Sequence, residues 1–196
     1  YAANVDWPNW NIKFGREHKE NAVWKWVLVD LDFGFGTGKK ADFNMIEFAT
    51  SPVETRETNT PKATMLFRNM LEFTEFKNEF IQRFAVSLNV VYPPERVLEI
   101  IQQFEDQRSN EMPFEIKRWA DSVYASPWGK YTVPKSMEIW DKKIDIMREF
   151  VKKRPDFVRN HLIEKFHLKG MVNIETFSSG GHISINTIDL TEGNLD

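Results

Sequence analysis

The sequence predicts an α+β fold that is predominantly helical and ends in a short β-rich C-terminal tail. Three observations carry this. Between positions 63 and 166 apolar residues recur at steps of three and four, the spacing of one helix face. Ahead of that stretch the chain is dense in strand, turn and polar signals. From Gly170 onward the apolar period drops to two, the period of a strand.

Taken in order, residues 4–11 hold Pro8 and three Asn, which makes them a loop. Residues 12–14 predict a short strand, and 16–21 are charged and turn-like. Residues 24–32, Trp-Lys-Trp-Val-Leu-Val-Asp-Leu-Asp, are dominated by β-branched and aromatic side chains and predict a buried strand. Gly34, Gly36 and Gly38 then make a flexible stretch, and 39–62 read as an extended loop with a short element near 44–48. A first helix is expected over 63–73, carrying Met65, Leu66, Met70 and Leu71. Thr74 reads as the N-cap of the next, which carries Phe76, Phe80, Ile81, Phe84 and Leu88 on one face and stops at Pro93. Pro94 opens a helix over 95–105. A further helix is expected over 110–124 and a loop over 125–134. Residues 136–153 give the clearest helix, with Ile139, Trp140, Ile144, Met147 and Val151 on one side and a solvated charged face on the other. Arg154-Pro155 is expected to break it, and 156–166 to resume. In the tail, Val172, Ile174 and Thr176 alternate, 178–181 turn, and Ile183, Ile185 and Ile188 continue as a hairpin.

Composition narrows the function. The 196 residues are 41% hydrophobic, enough for a core in one domain or one domain with an appendage. The sixteen Phe and seven Trp point to packed structure, and the Trp24/Trp26 and Phe stripes are expected in the core. A net charge of −3 lacks the basic excess of a nucleic-acid binder, so no nucleic-acid partner is expected. No apolar run approaches the ~18–20 residues that span a bilayer, and no signal peptide is recognisable, so no membrane partner is expected either. The absence of cysteine excludes disulfides, thiolate zinc sites and cysteine nucleophiles. His18, His161, His167 and His182 show no metal-ligand spacing.

Two acidic clusters carry the chemistry. One is Asn4-Val5-Asp6-Trp7-Pro8-Asn9-Trp10-Asn11; the other, Asp30-Leu31-Asp32-Phe33-Gly34, ends an apolar strand. Carboxylates there are expensive to desolvate unless a cation or hydrogen-bond donors satisfy them. Hard Mg²⁺ is held by one or two carboxylates with waters and substrate phosphates. Asp30 and Asp32, two apart on a strand, face the same side. Asp6 and Asn11 have the spacing of the Asp and Asn in a protein-kinase catalytic loop, and Asp32-Phe33-Gly34 follows in the order of that fold's metal-binding tripeptide. A plain alternative for Asn4-x-Asp6 is an Asx-turn. Asp30 and Asp32 have their own, a turn cap or pairing with Lys39 and Lys40.

The run Asn4-Val5-Asp6-Trp7-Pro8-x-x-Asn11-Ile12-Lys13-Phe14, followed by Trp24-Lys25-Trp26-Val27-Leu28-x-Asp30-Leu31-Asp32-Phe33-Gly34-Phe35-Gly36, resembles the CotH kinase family. The likeness continues through Phe67-Arg68-Asn69-Met70-Leu71, Phe76-Lys77-x-x-Phe80-Ile81-x-Arg83-Phe84, Pro94-Glu95-Arg96-Val97, Glu111-Met112-Pro113 and Arg154-Pro155-x-Phe157-Val158-Arg159-x-His161-Leu162, so that it covers about 1–168.

The resemblance implies a partial atypical protein-kinase-like fold, comprising the catalytic loop and helical C-lobe. It also implies ATP with Mg²⁺ or Mn²⁺, Ser/Thr phosphorylation of a protein such as a coat protein, and a spore-surface or extracytoplasmic setting. By the same resemblance, Asp6 is the catalytic acid, and Asn11, Asp30 and Asp32 bind the metal and hence the nucleotide. The residues leave open whether Asp30 or Asp32 is primary: the literal tripeptide favours Asp32, and the family pattern keeps both. Pro8 stands where protein kinases place a Lys two residues after the catalytic Asp, and no Gly-rich phosphate loop precedes the motif. Because the chain begins at Tyr1, the expectation is a fragment that lacks an upstream nucleotide lobe and is inactive alone. Residues 1–168 form the catalytic and helical region, and 169–196 the hairpin tail, the start of a second domain. Two rivals are a metal-dependent Asp-x-Asp glycosyltransferase and a non-catalytic secreted binding or scaffold module.

Overall fold

The computed structural model describes residues 1–8, 10–53, 62–126, 129–172, 174, 180–181, 183–185 and 188–190. In chain order the elements are β1 (Lys13–Gly15), β2 (Lys25–Val27), α1 (Met45–Thr50), α2 (Met65–Met70), α3 (Thr74–Val90), α4 (Pro94–Ser109), α5 (Met112–Trp119), β3 (Val123–Ser126), β4 (Gly129–Thr132), α6 (Met137–Phe166), β5 (Ile183–Ile185) and β6 (Ile188–Leu190). Among the described residues the strands pair as antiparallel hairpins, β1–β2, β3–β4 and β5–β6. The class is α+β with helix dominant.

Helix α6 is the spine. Its 30 residues span roughly 45 Å at the usual rise, and α1, α3, α4 and α5 all pack on it. Ser136 caps its start, accepting a hydrogen bond from the Ile139 N–H at 3.3 Å. Its N-terminal half joins Ala3, Ala41, Val97, Ile101, Phe150 and Val151 in one apolar cluster. Its C-terminal half joins Ile46, Leu88, Val158 and Leu162 in another. The side chain of Arg148 ties α6 to α4 by an ion pair with Glu105 and a 2.8 Å hydrogen bond to Gln102.

The expected break at Arg154-Pro155 does not occur; α6 runs through it. Proline at this position deletes one backbone hydrogen bond and crowds the preceding turn, at about 3 kcal/mol. Burial outweighs this. Phe150, Val151, Arg154, Pro155, Val158, His161 and Leu162 form one uninterrupted buried stripe across the proline. Arg154 is 1% exposed and donates to the carbonyls of Tyr1 (2.7 Å), Ala41 (2.6 Å) and Phe43 (2.7 Å). Burial pulls its pKa down to about 10, which leaves it charged at neutral pH. One side chain thereby fastens the start of the chain and the loop before α1 to the spine.

Other boundaries shift. Phe73, not Thr74, is the extended cap of α3, and Thr74 is its first helical residue. The helix expected over 110–124 ends at Trp119, and the expected loop over 125–134 contains the β3–β4 hairpin, with Val123 opposite Thr132. Val, Tyr and Thr favour a ladder over a helical turn there. In the tail, the described pairing is Ile183–Ile185 with Ile188–Leu190. Thr176 and residues 178–179 of the expected turn at 178–181 lie outside the described residues.

The largest departure is the strand expected over 24–32. Only Lys25–Val27 form a ladder, against three residues of β1, and both strands are exposed. Trp24 is 59% and Trp26 65% exposed, so these rings are not in the core. They shelter each other instead: the Phe14 ring lies 5.6 Å from Trp24 and 5.3 Å from Trp26, and the Arg16 guanidinium sits 5.2 Å over Trp24. Among the described residues this hairpin packs chiefly on itself, β1 against β2. Apolar composition located the strand, but burial requires a facing element.

Candidate functional site

The site grows from two turns and a buried asparagine. Asn4, 5% exposed, accepts a hydrogen bond from the Asp6 N–H through Oδ1 at 3.0 Å, which is an Asx-turn. A second turn closes behind it, where the Trp10 N–H donates to the Asp6 carbonyl at 2.8 Å. The Trp7–Pro8 peptide within this loop is cis. The other end of the Asn4 amide, Nδ2, donates to the Asp30 carbonyl at 2.9 Å. Asn11 Nδ2 approaches the same carbonyl at 3.5 Å, a long contact. Asp30 and Asn11 both hold left-handed backbones, φ 55° and φ 57°. Asn and Asp tolerate that region better than other L-residues. The left-handed residue Asp30, three residues beyond β2, presents its carbonyl to the Asn4 and Asn11 amides.

Behind Asp32 the chain coils tightly. The Gly34 N–H donates to the Leu31 carbonyl at 2.9 Å, and the Phe35 N–H to the Ala2 carbonyl at 2.9 Å. A Cβ on Gly34 would lie 3.0 Å from the Leu31 carbonyl oxygen and 3.1 Å from the Ala2 Cβ. Gly36 is more constrained: φ is +91°, and a Cβ would meet Ile146 Cγ2 of α6 at 2.9 Å. These glycines set close backbone approaches that seat the Asp30–Asp32 corner on the start of the chain and on α6.

The carboxylates feel one another. The Asp32 carboxyl is pushed above the ordinary range by partial burial, then by a hydrogen bond to the Asp30 carboxylate and by its charge; the Phe33 N–H opposes this, and Asp6 adds a smaller push. The Asp6 carboxyl is likewise raised, by partial burial and then by the charge of Asp30. Like charges held this close call for a proton or a cation between them. Among the described residues, no three Asp, Glu or His side chains converge as a ready cage. The donor set is two neighbouring carboxylates with the Asp6 carboxylate beside them. All are hard oxygens, which suits Mg²⁺ or Mn²⁺ binding completed by waters and phosphates. The residues present therefore fit such an ion.

All four residues singled out from sequence, Asp6, Asn11, Asp30 and Asp32, fall in this one region. Sequence reasoning missed the role of Asn4, although its signal, an Asn two residues before the acid, was legible as a turn. A cavity of about 470 Å³ lies elsewhere, between Gly36, Ala41 and the α6 face bearing Ile146 and Phe150, and none of the four lines it. No described helix is long and apolar enough to cross a membrane.

The arrangement is an acidic, oxygen-rich corner fastened to a helical scaffold. A family profile described as CotH kinase protein matches residues 1–158, and the chain belongs to that family. No curated protein and no solved structure gives a significant match.

Proposed function

We propose that the chain carries the catalytic and metal-binding region of an ATP-dependent protein kinase, over residues 1–168, which phosphorylates Ser or Thr of a protein substrate such as a coat protein. The observation that carries the reading is the hydrogen-bonded link from the Asp6 turn through Asn4 to Asp30, which keeps one carboxylate next to a pair. Family membership supports it at the level of kinase chemistry. Asp6 would accept the hydrogen bond of the substrate hydroxyl and orient it. Asp30, Asp32 and the amide oxygen of Asn11 would hold the divalent ion. That ion, bound with ATP, supplies neutralisation of phosphate charge. The protein's contribution is positioning and fixed electrostatics. A protein-kinase-like C-lobe, a separate tail at 169–196 and a spore-surface or extracytoplasmic setting are part of the same reading.

One observation favours a second reading, a non-catalytic binding module: only two carboxylates meet directly, short of a three-ligand cage among the described residues. The glycosyltransferase reading has no such support, because the described strands form hairpins rather than the alternating β and α of that class. Phosphoryl transfer from labelled ATP with Mg²⁺ or Mn²⁺, compared between the intact protein and Asp32→Ala, separates the readings. Transfer should fall at least ~100-fold, on the scale of losing one electrostatic anchor. Full activity in Asp32→Ala refutes the assignment.

A further inference from the structure

Asn4 is buried, and both ends of its amide are used. Oδ1 serves its own turn by accepting from the Asp6 N–H, while Nδ2 crosses 26 residues of sequence to the Asp30 carbonyl. Asp30 is held in the left-handed region, where an uncompensated backbone relaxes readily. The one other donor to its carbonyl among the contacts described above is Asn11, at 3.5 Å. Asn4 itself offers no charge and does not belong to the acidic set.

We propose that Asn4 is a positioning residue: its Nδ2–H···O=C bond to Asp30 sets the placement of the Asp30–Asp32 corner against Asp6, and thereby the affinity of that corner for a divalent cation. The inference rests on the phosphoryl-transfer reading and deepens it. The amide is the required group because it is the smallest that accepts on one side and donates on the other. Serine at position 4 keeps an acceptor for the Asp6 N–H, as in an ST-turn, but is too short to donate to Asp30. Aspartate keeps the size and the acceptor and loses the donor. It also brings a fourth negative charge, which on charge alone would draw a cation in more tightly.

The test is Mn²⁺ binding without nucleotide, read from the electron paramagnetic resonance signal of the free ion, on the whole chain and on Asn4→Ser and Asn4→Asp. Loss of a partner that orients metal ligands costs about 10–100-fold in affinity. Asn4→Ser should therefore raise the Mn²⁺ Kd about tenfold or more, and Asn4→Asp should also weaken binding, against the sign of its added charge. A purely structural role would lower the melting temperature and leave the Kd of the folded protein unmoved. Wild-type binding with Asn4→Ser within twofold of it overturns the positioning role while leaving the metal reading standing. Tighter binding in Asn4→Asp also overturns it. No saturable Mn²⁺ binding by the wild type sinks the metal reading, and this inference with it.

Discussion

Replacing Arg154 with methionine keeps the apolar stem of the side chain and deletes its guanidinium, isolating what that group does in the middle of α6. The guanidinium makes three hydrogen bonds, to the carbonyls of Tyr1, Ala41 and Phe43, at 2.6 to 2.7 Å. Hydrogen bonds to a charged donor contribute about 1.5–3 kcal/mol each, so the gross loss is about 5–9 kcal/mol. Part is returned, because methionine no longer carries the desolvation cost that pulls the Arg154 pKa to about 10. Breaking a buried charged network by removing one member leaves a net destabilisation of about 3–5 kcal/mol. At about 2–4 °C per kcal/mol for a chain of this size, the melting temperature should drop by roughly 6–20 °C. Thermal unfolding followed by circular dichroism at the helix band reads this directly. Arg154→Lys should fall between, since one ammonium cannot span three separated carbonyls, and the exposed Lys152→Met should change little. A melting temperature for Arg154→Met within about 2 °C of wild type, or one equal to that of Lys152→Met, would refute the account of how the N-terminal segment is fastened to the spine.

Two further outcomes follow from the site. Asp32→Asn should stabilise the metal-free protein at neutral pH. The folded pKa of Asp32 lies above its unfolded value, so its favourable contribution exists at low pH and is lost as pH rises through the folded value. With Asp32 this exposed, the gain is at most ~1 kcal/mol, and it should disappear below the ordinary carboxylate range; Mg²⁺ should raise the melting temperature of wild type and not of Asp32→Asn, and destabilisation by the substitution at neutral pH would contradict the like-charge account. Gly36→Ala forces a Cβ to 2.9 Å from Ile146 Cγ2 at a φ of +91°, and should lower stability by roughly 1–3 kcal/mol, measured by urea unfolding, whereas Gly15→Ala, with open space around it, should cost far less.

The helices were legible because their signal is local. Phe76, Phe80, Phe84 and Leu88 repeat at helical steps in α3, and Pro94 marks the first residue of α4 because its fixed φ and missing N–H suit that position. What the sequence hid depends on partners distant in the chain. Pro155 reads locally as a break. It is tolerated because the stripe around it contacts the clusters at Val97 and Ile101 on one side and Ile46 and Leu88 on the other. Trp24 and Trp26 read as core because aromatic residues usually are, yet exposure is decided by whether any element faces the hairpin. Periodicity specifies which face of an element is apolar, and only the rest of the fold decides what, if anything, covers it.

The site was legible for a different reason. The desolvation cost expected of carboxylates on a buried strand does not arise, because Asp30 and Asp32 lie exposed beyond β2; what the motif order carried is that Asp6, Asn11, Asp30 and Asp32 fold into one spatial group. The Asx-turn and the functional reading of Asn4-x-Asp6 first stood as competitors. The geometry makes them compatible, since a side chain that uses one amide atom to close a local turn still has the other free to reach across. An asparagine that only closed a turn would have no need of its NH₂ group, and a serine would serve as well. The use of both ends, in a residue almost without solvent contact, ties the turn at Asp6 to the corner at Asp30. Whatever moves one of these loops must therefore break or carry the other. On the proposed reading, this coupling would hold the acid and the metal-binding groups at a fixed separation whether or not an ion is bound, the preorganisation that transfer between a hydroxyl and a phosphate requires.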